Sequence, residues 1–325
     1  MNDRRFVVAG GQNLDLLATA RSKFRQGDSI PGSIEERAGG VAFNMARNLV
    51  LLGQKVILLS ARGDDRAGRA LDVIGREAGL DLHHVLVRED MPTSRYVAIH
   101  DETGDMAAAI NDMSVFDTLE PGAVSLWQSV AAAGSLSAER VSAALVDANL
   151  PAEVLAYLIS RWGGIPVFAD AVSQAKADRL LPVLARLAGL KLNRLEAEQL
   201  TGISVVSISD AARAAAWLLD RGVGSVCISM GKEGALFANT AGCAATRYDS
   251  PHRHANTTGA GDAMSAVFAW ASVEGFSLEQ TARLSQAAAS LVIESPEPVN
   301  RSMTAEVLRQ RAEGPGLSVR LIRRS

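Results

Sequence analysis

The chain contains 325 residues, of which 48% are hydrophobic and 21% are charged. These proportions are typical of a folded globular protein, and they exclude a disordered chain, a collagen-like repeat and a small disulfide scaffold. The 33 basic and 36 acidic residues give a net charge of −3, so the chain lacks the excess of positive charge on which nucleic-acid binding depends.

The sequence also argues against export and membrane insertion. Cys227 and Cys243 show no paired spacing and are expected to be reduced thiols. No segment approaches the roughly 18 consecutive apolar residues of a membrane helix, and polar residues interrupt the apolar N-terminal segment before a signal-peptide core can form. We therefore expect a cytoplasmic protein without a membrane partner.

Short apolar runs alternate with helical patterns along the chain. The predicted strands are Phe6–Gly11, Lys55–Ser60, Ala144–Asn149, Ile165–Asp170, Leu190–Asn193 and Ser225–Met230. The predicted helices, with apolar residues three or four positions apart, are Val41–Leu52, Ala67–Ala78, Ala152–Trp162, Asp210–Arg221, Ala260–Ser272 and Leu278–Ile293. This alternation predicts an α/β fold with a mostly parallel central sheet between two helical layers.

Two segments interrupt the alternation. Thr93–Ser114 contains two apolar stretches around a polar turn, which is a hairpin pattern, and the polar segment Asp15–Arg37 lacks helical periodicity. We expect insertions near 15–37 and 93–114 to form a small β lid on a single domain spanning 1–325.

The segment NTTGAGD, at positions 256–262, is the most informative motif. The glycines allow a tight turn whose amide groups point outward at a helix start, where the helix dipole favours an anion. Asp262, beside such a turn, is suited to accept a proton from a hydroxyl while the amides of Gly259, Ala260 and Gly261 hold a phosphoryl group. The alternative is that Asp262 only complements the helix dipole.

A second glycine pair, Gly39-Gly40, precedes the helix that carries Asn44. Such a pair permits close approach of a ligand, and the amide of Asn44 both donates and accepts hydrogen bonds. The alternative is an ordinary turn with an exposed asparagine. The dinucleotide-binding fingerprint is absent, which disfavours a nicotinamide-dependent oxidoreductase. A Walker A motif is absent as well.

Together these two motifs resemble the signature pair of the PfkB/ribokinase family of sugar and nucleoside kinases, and the resemblance extends from Phe6 to about Pro298. The other segments that carry it are Asn13-Leu14-Asp15, Asn193-Arg194-Leu195-Glu196 and Ser229-Met230-Gly231-Lys232-Glu233-Gly234. It implies a ribokinase-like three-layer sandwich and a kinase that requires ATP and Mg²⁺.

The resemblance also implies a role for each motif. Acceptor-binding residues would be Asn13, Asp15, Gly39, Gly40, Asn44, Asn111 and Asp112. Nucleotide-binding residues would be Asn193, Ser229, Gly231, Gly234, Thr258 and Lys176. Glu196 and Asn193 would hold Mg²⁺ through water, although the same two residues also match a helix capping box. Lys176 has the alternative of a solvated side chain, and Asn111-Asp112 that of a simple turn.

A narrower resemblance concerns the acceptor. Ala109–Met113, Phe168–Ser173 and Leu192–Glu198 are similar to segments of the family's pseudouridine-phosphorylating branch, which implies transfer to the 5′-hydroxyl of that nucleoside. Another nucleoside, ribose or a fructose-type sugar is the alternative acceptor, and a non-catalytic nucleoside sensor is a more remote one. Asn256 stands where many members carry an aspartate of a monovalent-cation site, so a potassium requirement is left open. Exposed lid strands favour a homodimer.

Overall fold

The computed structural model describes residues 5–131, 141–249 and 258–322. In these ranges the strands are β1 (Arg5–Ala9), β2 (Asn13–Ala20), β3 (Gly32–Gly39), β4 (Lys55–Leu59), β5 (Ala61–Gly63), β6 (Leu86–Arg88), β7 (Arg95–His100), β8 (Met106–Asp112), β9 (Val141–Asp147), β10 (Val167–Asp170), β11 (Gly189–Asn193), β12 (Ser225–Ser229), β13 (Ala235–Asn239), β14 (Gly242–Tyr248) and β15 (Leu317–Ile322). The α-helices are α1 (Val41–Leu51), α2 (Arg66–Glu77), α3 (Ser114–Asp117), α4 (Trp127–Ala131), α5 (Ala152–Arg161), α6 (Gln174–Ala177), α7 (Arg194–Thr201), α8 (Ile208–Leu219), α9 (Ala260–Val273), α10 (Leu278–Ile293) and α11 (Ala305–Glu313).

Nine strands form the central sheet, in the order β15-β14-β13-β12-β11-β10-β9-β1-β4. The six strands from β12 to β4 run parallel to one another, whereas β13, β14 and β15 are antiparallel to their neighbours. The predicted mostly parallel sheet is therefore confirmed, and an antiparallel extension at one edge is added to it.

Helices cover both faces of this sheet. Successive residues of β1 alternate between two hydrophobic cores, with Phe6 and Val8 in one and Val7 and Ala9 in the other. Helices α1, α9 and α10 pack into the first core, and α5, α7 and α8 pack into the second. The result is the predicted three-layer α/β sandwich. None of the helices in the described ranges is long and apolar enough to cross a bilayer.

A separate four-stranded sheet has the order β3-β2-β7-β8. Its strands come from the two segments that were predicted to form the lid, and we call it the lid sheet. The outer strand β8 is exposed along its whole length, and β3 is exposed over its first five residues. That the lid sheet closes over a site, and that residues 1–325 form a single domain, stay predictions.

Candidate active site

Polar side chains gather at the carboxyl edge of the parallel strands, where ligands of open α/β sheets bind. Asp147 ends β9 and is paired in register with Asp170 at the end of β10, and Asn193 at the end of β11 is paired with Ser229 at the end of β12. The strand order therefore sets out a row of polar groups, from Ser229 on one side to the β1–β2 connection on the other.

Helix α9 begins above this row. Gly259 lies just before it with φ of +85°, and a Cβ at this position would overlap the carbonyl oxygen of Pro298, so no other residue fits there. No side chain among the described residues caps this helix start. The amide groups of Ala260, Gly261 and Asp262 have no acceptor within the helix, and none of the hydrogen bonds between described residues uses them, so they can donate to an anion.

Asp262 lies in the first turn of α9 and is joined to the second glycine motif. The side-chain amide of Asn44 in α1 donates to its Oδ2 at 2.8 Å. Burial and the nearby charge of Asp170 raise the pKa of Asp262 to about 7, although the Asn44 hydrogen bond and Lys191 oppose the increase. A carboxylate with a pKa near neutrality is suited to accept a proton.

The glycine pair brings α1 against the β1–β2 connection. Gly40 has φ of +101°, and a Cβ there would lie 2.5 Å from both Gln12 Cα and the Gly11 carbonyl oxygen. A Cβ at Gly39 would overlap the carboxylate of Asp15. The two glycines thus bring the start of α1, which carries Asn44, against the segment that carries Asp15, and we call the space between them the acceptor recess after its proposed role.

Within this recess Asn13 donates a side-chain hydrogen bond to Asp15, and both side chains are buried. Burial raises the pKa of Asp15 to about 6, against the opposing effects of Asn13 and Arg37. The Oδ1 atom of Asn44 is buried and receives no hydrogen bond from any described residue. A buried acceptor without a donor is rare in native proteins, and a hydroxyl of a bound ligand would satisfy it.

Comparisons with known proteins identify the family. The model of the pfkB family of carbohydrate kinases matches residues 4–305. The chain belongs to this family. It is 33% identical to the pseudouridine kinase of Escherichia coli K12 over 287 residues, covering 88% of this chain and 90% of that protein. As a member of the family, it is a phosphotransferase with an alcohol acceptor.

Solved structures support the same fold. A carbohydrate kinase from Agrobacterium tumefaciens superimposes with a TM-score of 0.81 at 27% identity, covering 97% of this chain and 99% of the other. The Arabidopsis thaliana ribokinase solved with ribose and ATP gives a TM-score of 0.81 at 21% identity, covering 96% and 99%. The predicted ribokinase-like fold is thereby confirmed.

The glycine turn after β12, where the resemblance places the nucleotide, is exposed at residues 231–233. Gly231 and Gly234 have φ of +60° and +89°, and the Gly234 amide donates to the Gly231 carbonyl at 3.0 Å. Ser229 precedes this turn, and its hydroxyl donates to the Leu192 carbonyl at 3.3 Å. Thr258 is exposed immediately before the turn formed by Gly259, Ala260 and Gly261, which we call the catalytic turn after its proposed role. These residues lie around the same end of the sheet, as the resemblance implies.

Asn193 and Glu196 form the capping box that was the alternative interpretation. The Asn193 side chain accepts from the Glu196 amide at 3.0 Å, and Glu196 accepts from the backbone and side-chain amides of Asn193 at 2.7 and 2.6 Å. Glu196 is buried, and desolvation raises its pKa despite the nearby Lys191. No cluster of three or more metal-ligating side chains occurs in the described part of the chain. A metal role for the pair stays a prediction.

The structure separates some of the predicted residues from the site. In the lid sheet, Asp15 is paired with Tyr96 and Tyr96 with Asn111, so Asn111 shares a face with Asp15. Asp112 is one residue further along and lies on the opposite face, where it accepts from the Ser114 amide at 3.0 Å. We therefore do not group Asp112 with the acceptor residues.

Lys176 lies on the acceptor side of the strand row. Its Nζ donates to Asn149, which follows β9, at 2.8 Å. The nucleotide turn follows β12, three strands away. Lys176 is therefore not a neighbour of the turn after β12. Because it donates to Asn149, it is not a purely solvated side chain either. Asn256 lies outside the described residues.

Asp147, which the sequence analysis did not single out, connects three backbone segments next to the acceptor recess. It is fully buried and accepts from the amides of Gly11, Ala42 and Asn149 at 2.9, 2.8 and 2.9 Å. Burial raises its pKa to about 6. An aspartate at the end of an apolar strand was the available signal, because a charge there needs several donors to be retained.

The loop after α10 touches both the lid sheet and the catalytic turn. Arg37 on β3 donates to the Pro296 carbonyl at 2.7 Å, and two residues later the Pro298 carbonyl packs against Gly259. We call residues 295–299 the bridging loop.

Proposed function

We propose that this kinase transfers the γ-phosphoryl group of ATP to the 5′-hydroxyl of pseudouridine. The observation that carries the proposal is the 2.8 Å hydrogen bond between Asn44 and Asp262, because it joins the acceptor recess to the base beside the glycine turn. The 33% identity to the E. coli pseudouridine kinase supports the choice of nucleoside.

In the proposed reaction, the oxygen of the 5′-hydroxyl forms a bond to phosphorus, and Asp262 accepts the proton that this hydroxyl loses. The bond between phosphorus and the bridging oxygen of ADP breaks, and the electron pair remains on ADP. The amides of Gly259, Ala260 and Gly261 stabilise the charge on the transferring group. Phosphoryl transfer depends mainly on such positioning and electrostatic stabilisation.

The acceptor recess has the groups that a ribose needs. The carboxylate of Asp15 accepts from hydroxyl groups, while Asn44 both donates and accepts. Gly39 and Gly40 leave the space that these contacts need. Asn111, on the same face of the lid sheet as Asp15, is assigned to the base edge.

ATP and Mg²⁺ are the proposed cofactors. The uncapped start of α9 and the glycine turn after β12, which is exposed at residues 231–233, fit a polyphosphate. Mg²⁺ neutralises phosphate charge when bound, and it keeps much of its water shell in such sites. Glu196 and Asn193 would orient that water, since each retains acceptor capacity beyond the capping box.

We also propose a homodimer that pairs through the lid sheets. Register places Leu16, Ile34, Val97 and Ile110 on the face opposite to Asp15. Ile34 and Ile110 are 74% and 75% exposed. Apolar side chains concentrated on an open sheet with free edges favour pairing with a second copy.

The test is an ADP-release assay with pseudouridine, uridine and ribose as separate acceptors, using the wild type, Asp262→Asn and the exposed control Asp90→Asn. We expect the wild type to prefer pseudouridine. Asp262→Asn should lose about 10²–10⁴-fold in kcat, because a general base contributes that much, while its melting temperature and ATP affinity stay unchanged.

Each other outcome has a definite meaning. Preference for uridine or ribose would replace the acceptor but keep the kinase. Acceptor binding without ADP release would favour the nucleoside sensor. Near-normal turnover of Asp262→Asn would remove the base assignment. Loss of activity in Asp90→Asn would show that removal of a carboxylate elsewhere also inactivates the protein, so the loss in Asp262→Asn would not identify the base.

A further inference from the structure

Lys191 is a buried cation that the mechanism above does not use. It lies within the apolar strand β11 and is 7% exposed. Its Nζ forms an ion pair with Asp170 at 3.1 Å. An ammonium group has three donors, and burying it is costly unless nearby groups compensate its charge.

Asp170 fixes the ammonium group in place. Its carboxylate also accepts from the hydroxyl of Ser265 in α9 at 2.6 Å and from the amide of Val172 at 2.8 Å. Val172 has φ of +66°, a conformation unfavourable for a β-branched residue. A carboxylate held by β10, α9 and a strained turn leaves Lys191 little freedom to move.

The ammonium group is held directly against the catalytic turn. A Cβ at Gly261 would lie 2.7 Å from Lys191 Nζ, which is closer than nonbonded carbon and nitrogen atoms approach. Gly261 does not have a positive φ. The glycine therefore leaves room for Lys191 Nζ and does not serve an unusual backbone conformation, and Nζ lies beside the amides that would hold the phosphoryl group.

We propose that Lys191 contacts the transferring phosphoryl group and forms, with the amides of the glycine turn, the site that stabilises its charge. This inference rests on the proposed kinase reaction. A fixed cation beside developing negative charge, shielded from water, needs no reorganisation during the reaction. Burial lowers the pKa of Lys191, but Asp170, Glu196 and Asp262 outweigh that effect and raise it above the ordinary value. The side chain is therefore charged.

The competing interpretation is that Lys191 only neutralises Asp170. Breaking a buried ion pair by removing one partner destabilises a protein, whereas removing both charges is often neutral. The double variant Asp170→Asn/Lys191→Met therefore separates the two roles. It removes the unpaired charge that Lys191→Met alone would leave, but it does not restore a cation beside Gly261.

The experiment compares the wild type, Lys191→Met, the double variant and the exposed control Lys55→Met. We expect the double variant to regain most of the melting temperature that Lys191→Met loses. It should still turn over about 10²–10³-fold more slowly than the wild type, as for loss of a donor to the transition state. The KM for the acceptor should change less than threefold, and Lys55→Met should behave as the wild type.

A binding measurement adds a readout that does not depend on turnover. Calorimetry with Mg²⁺ should give the double variant a wild-type Kd for ADP. Its Kd for a nonhydrolysable ATP analogue should be about tenfold weaker, because only the analogue carries a γ-phosphoryl group for a charged donor to contact.

The proposal is overturned if the double variant recovers wild-type kcat, if only the KM for the acceptor changes, or if ADP and the analogue lose affinity equally. Failure of the proposed function looks different, since the wild type itself would then release no ADP with pseudouridine. In that case the variants are compared with the acceptor that the wild type does use.

Discussion

Asp262, the proposed base, has a raised pKa, so we expect the rate of this kinase to depend on pH in the physiological range. The base must be ionised to accept a proton, and its pKa is raised to about 7. A single group with that pKa is about 9% ionised at pH 6 and about 91% at pH 8. We therefore expect kcat/KM for the acceptor to rise about tenfold between these pH values and to level off above pH 8.

The profile should steepen below pH 6. Asp15 and Asp147 both have a pKa raised to about 6, so their protonation weakens the acceptor recess in the same direction. If Asp262 had its ordinary pKa of 3.8, the rise centred near pH 7 would be absent and only the effect of Asp15 and Asp147 near pH 6 would remain. The measurement is initial ADP release at saturating ATP and Mg²⁺ with the acceptor well below KM.

The variant Asp170→Asn tests whether the rise of kcat/KM with pH reports the ionisation of Asp262. Asp170 is the nearby charge that raises the pKa of Asp262 most after burial. Its removal should shift the midpoint of the rise to lower pH, whereas Lys191→Met should shift it to higher pH. A flat profile from pH 5 to pH 8, or a midpoint that moves upward in Asp170→Asn, would refute the electrostatic reasoning.

Two further predictions concern the catalytic turn and the lid. Gly259→Ala should lose most activity and several degrees of melting temperature, because its Cβ overlaps the Pro298 carbonyl; the matched control Gly53→Ala has a similar φ of +80° but open space, so it should cost only about 1 kcal/mol and keep its activity. Equal losses in both variants would show that backbone conformation alone matters. If the lid sheets pair, Ile110→Glu should shift the sedimentation coefficient to that of a monomer, whereas Val206→Glu, at an equally exposed site outside the lid sheet, should not. A wild-type protein that sediments as a monomer would contradict the homodimer.

The sequence predicts the central layers well, because the spacing of apolar residues there matches the positions that the structure buries. All six predicted strands are present, and the predicted helix Leu278–Ile293 has the observed bounds of α10. The strands β13 and β14 were not predicted. Ala235–Asn239 and Gly242–Tyr248 lack the alternation of a half-buried hairpin, since most of their residues are buried on both faces.

The parts of the candidate site that depend on glycines were predictable from the sequence. The parts that depend on a single charged residue were less predictable. Gly40 and Gly259 stand at helix starts with positive φ, which leaves a pattern in sequence. Lys191 and Asp147 act through partners from distant segments, such as Ser265 beyond Asp170 and Gly11 beyond Asp147. Only the strand order brings these partners together, so the spacing of residues along the sequence does not predict their contacts.

The bridging loop ties two tasks of the enzyme to one short stretch of backbone. Through Arg37 it holds β3, a strand of the proposed acceptor site, and through the Pro298 carbonyl it contacts Gly259 of the proposed anion site. Selection for a new acceptor by changes in this stretch would therefore alter turnover at the same time.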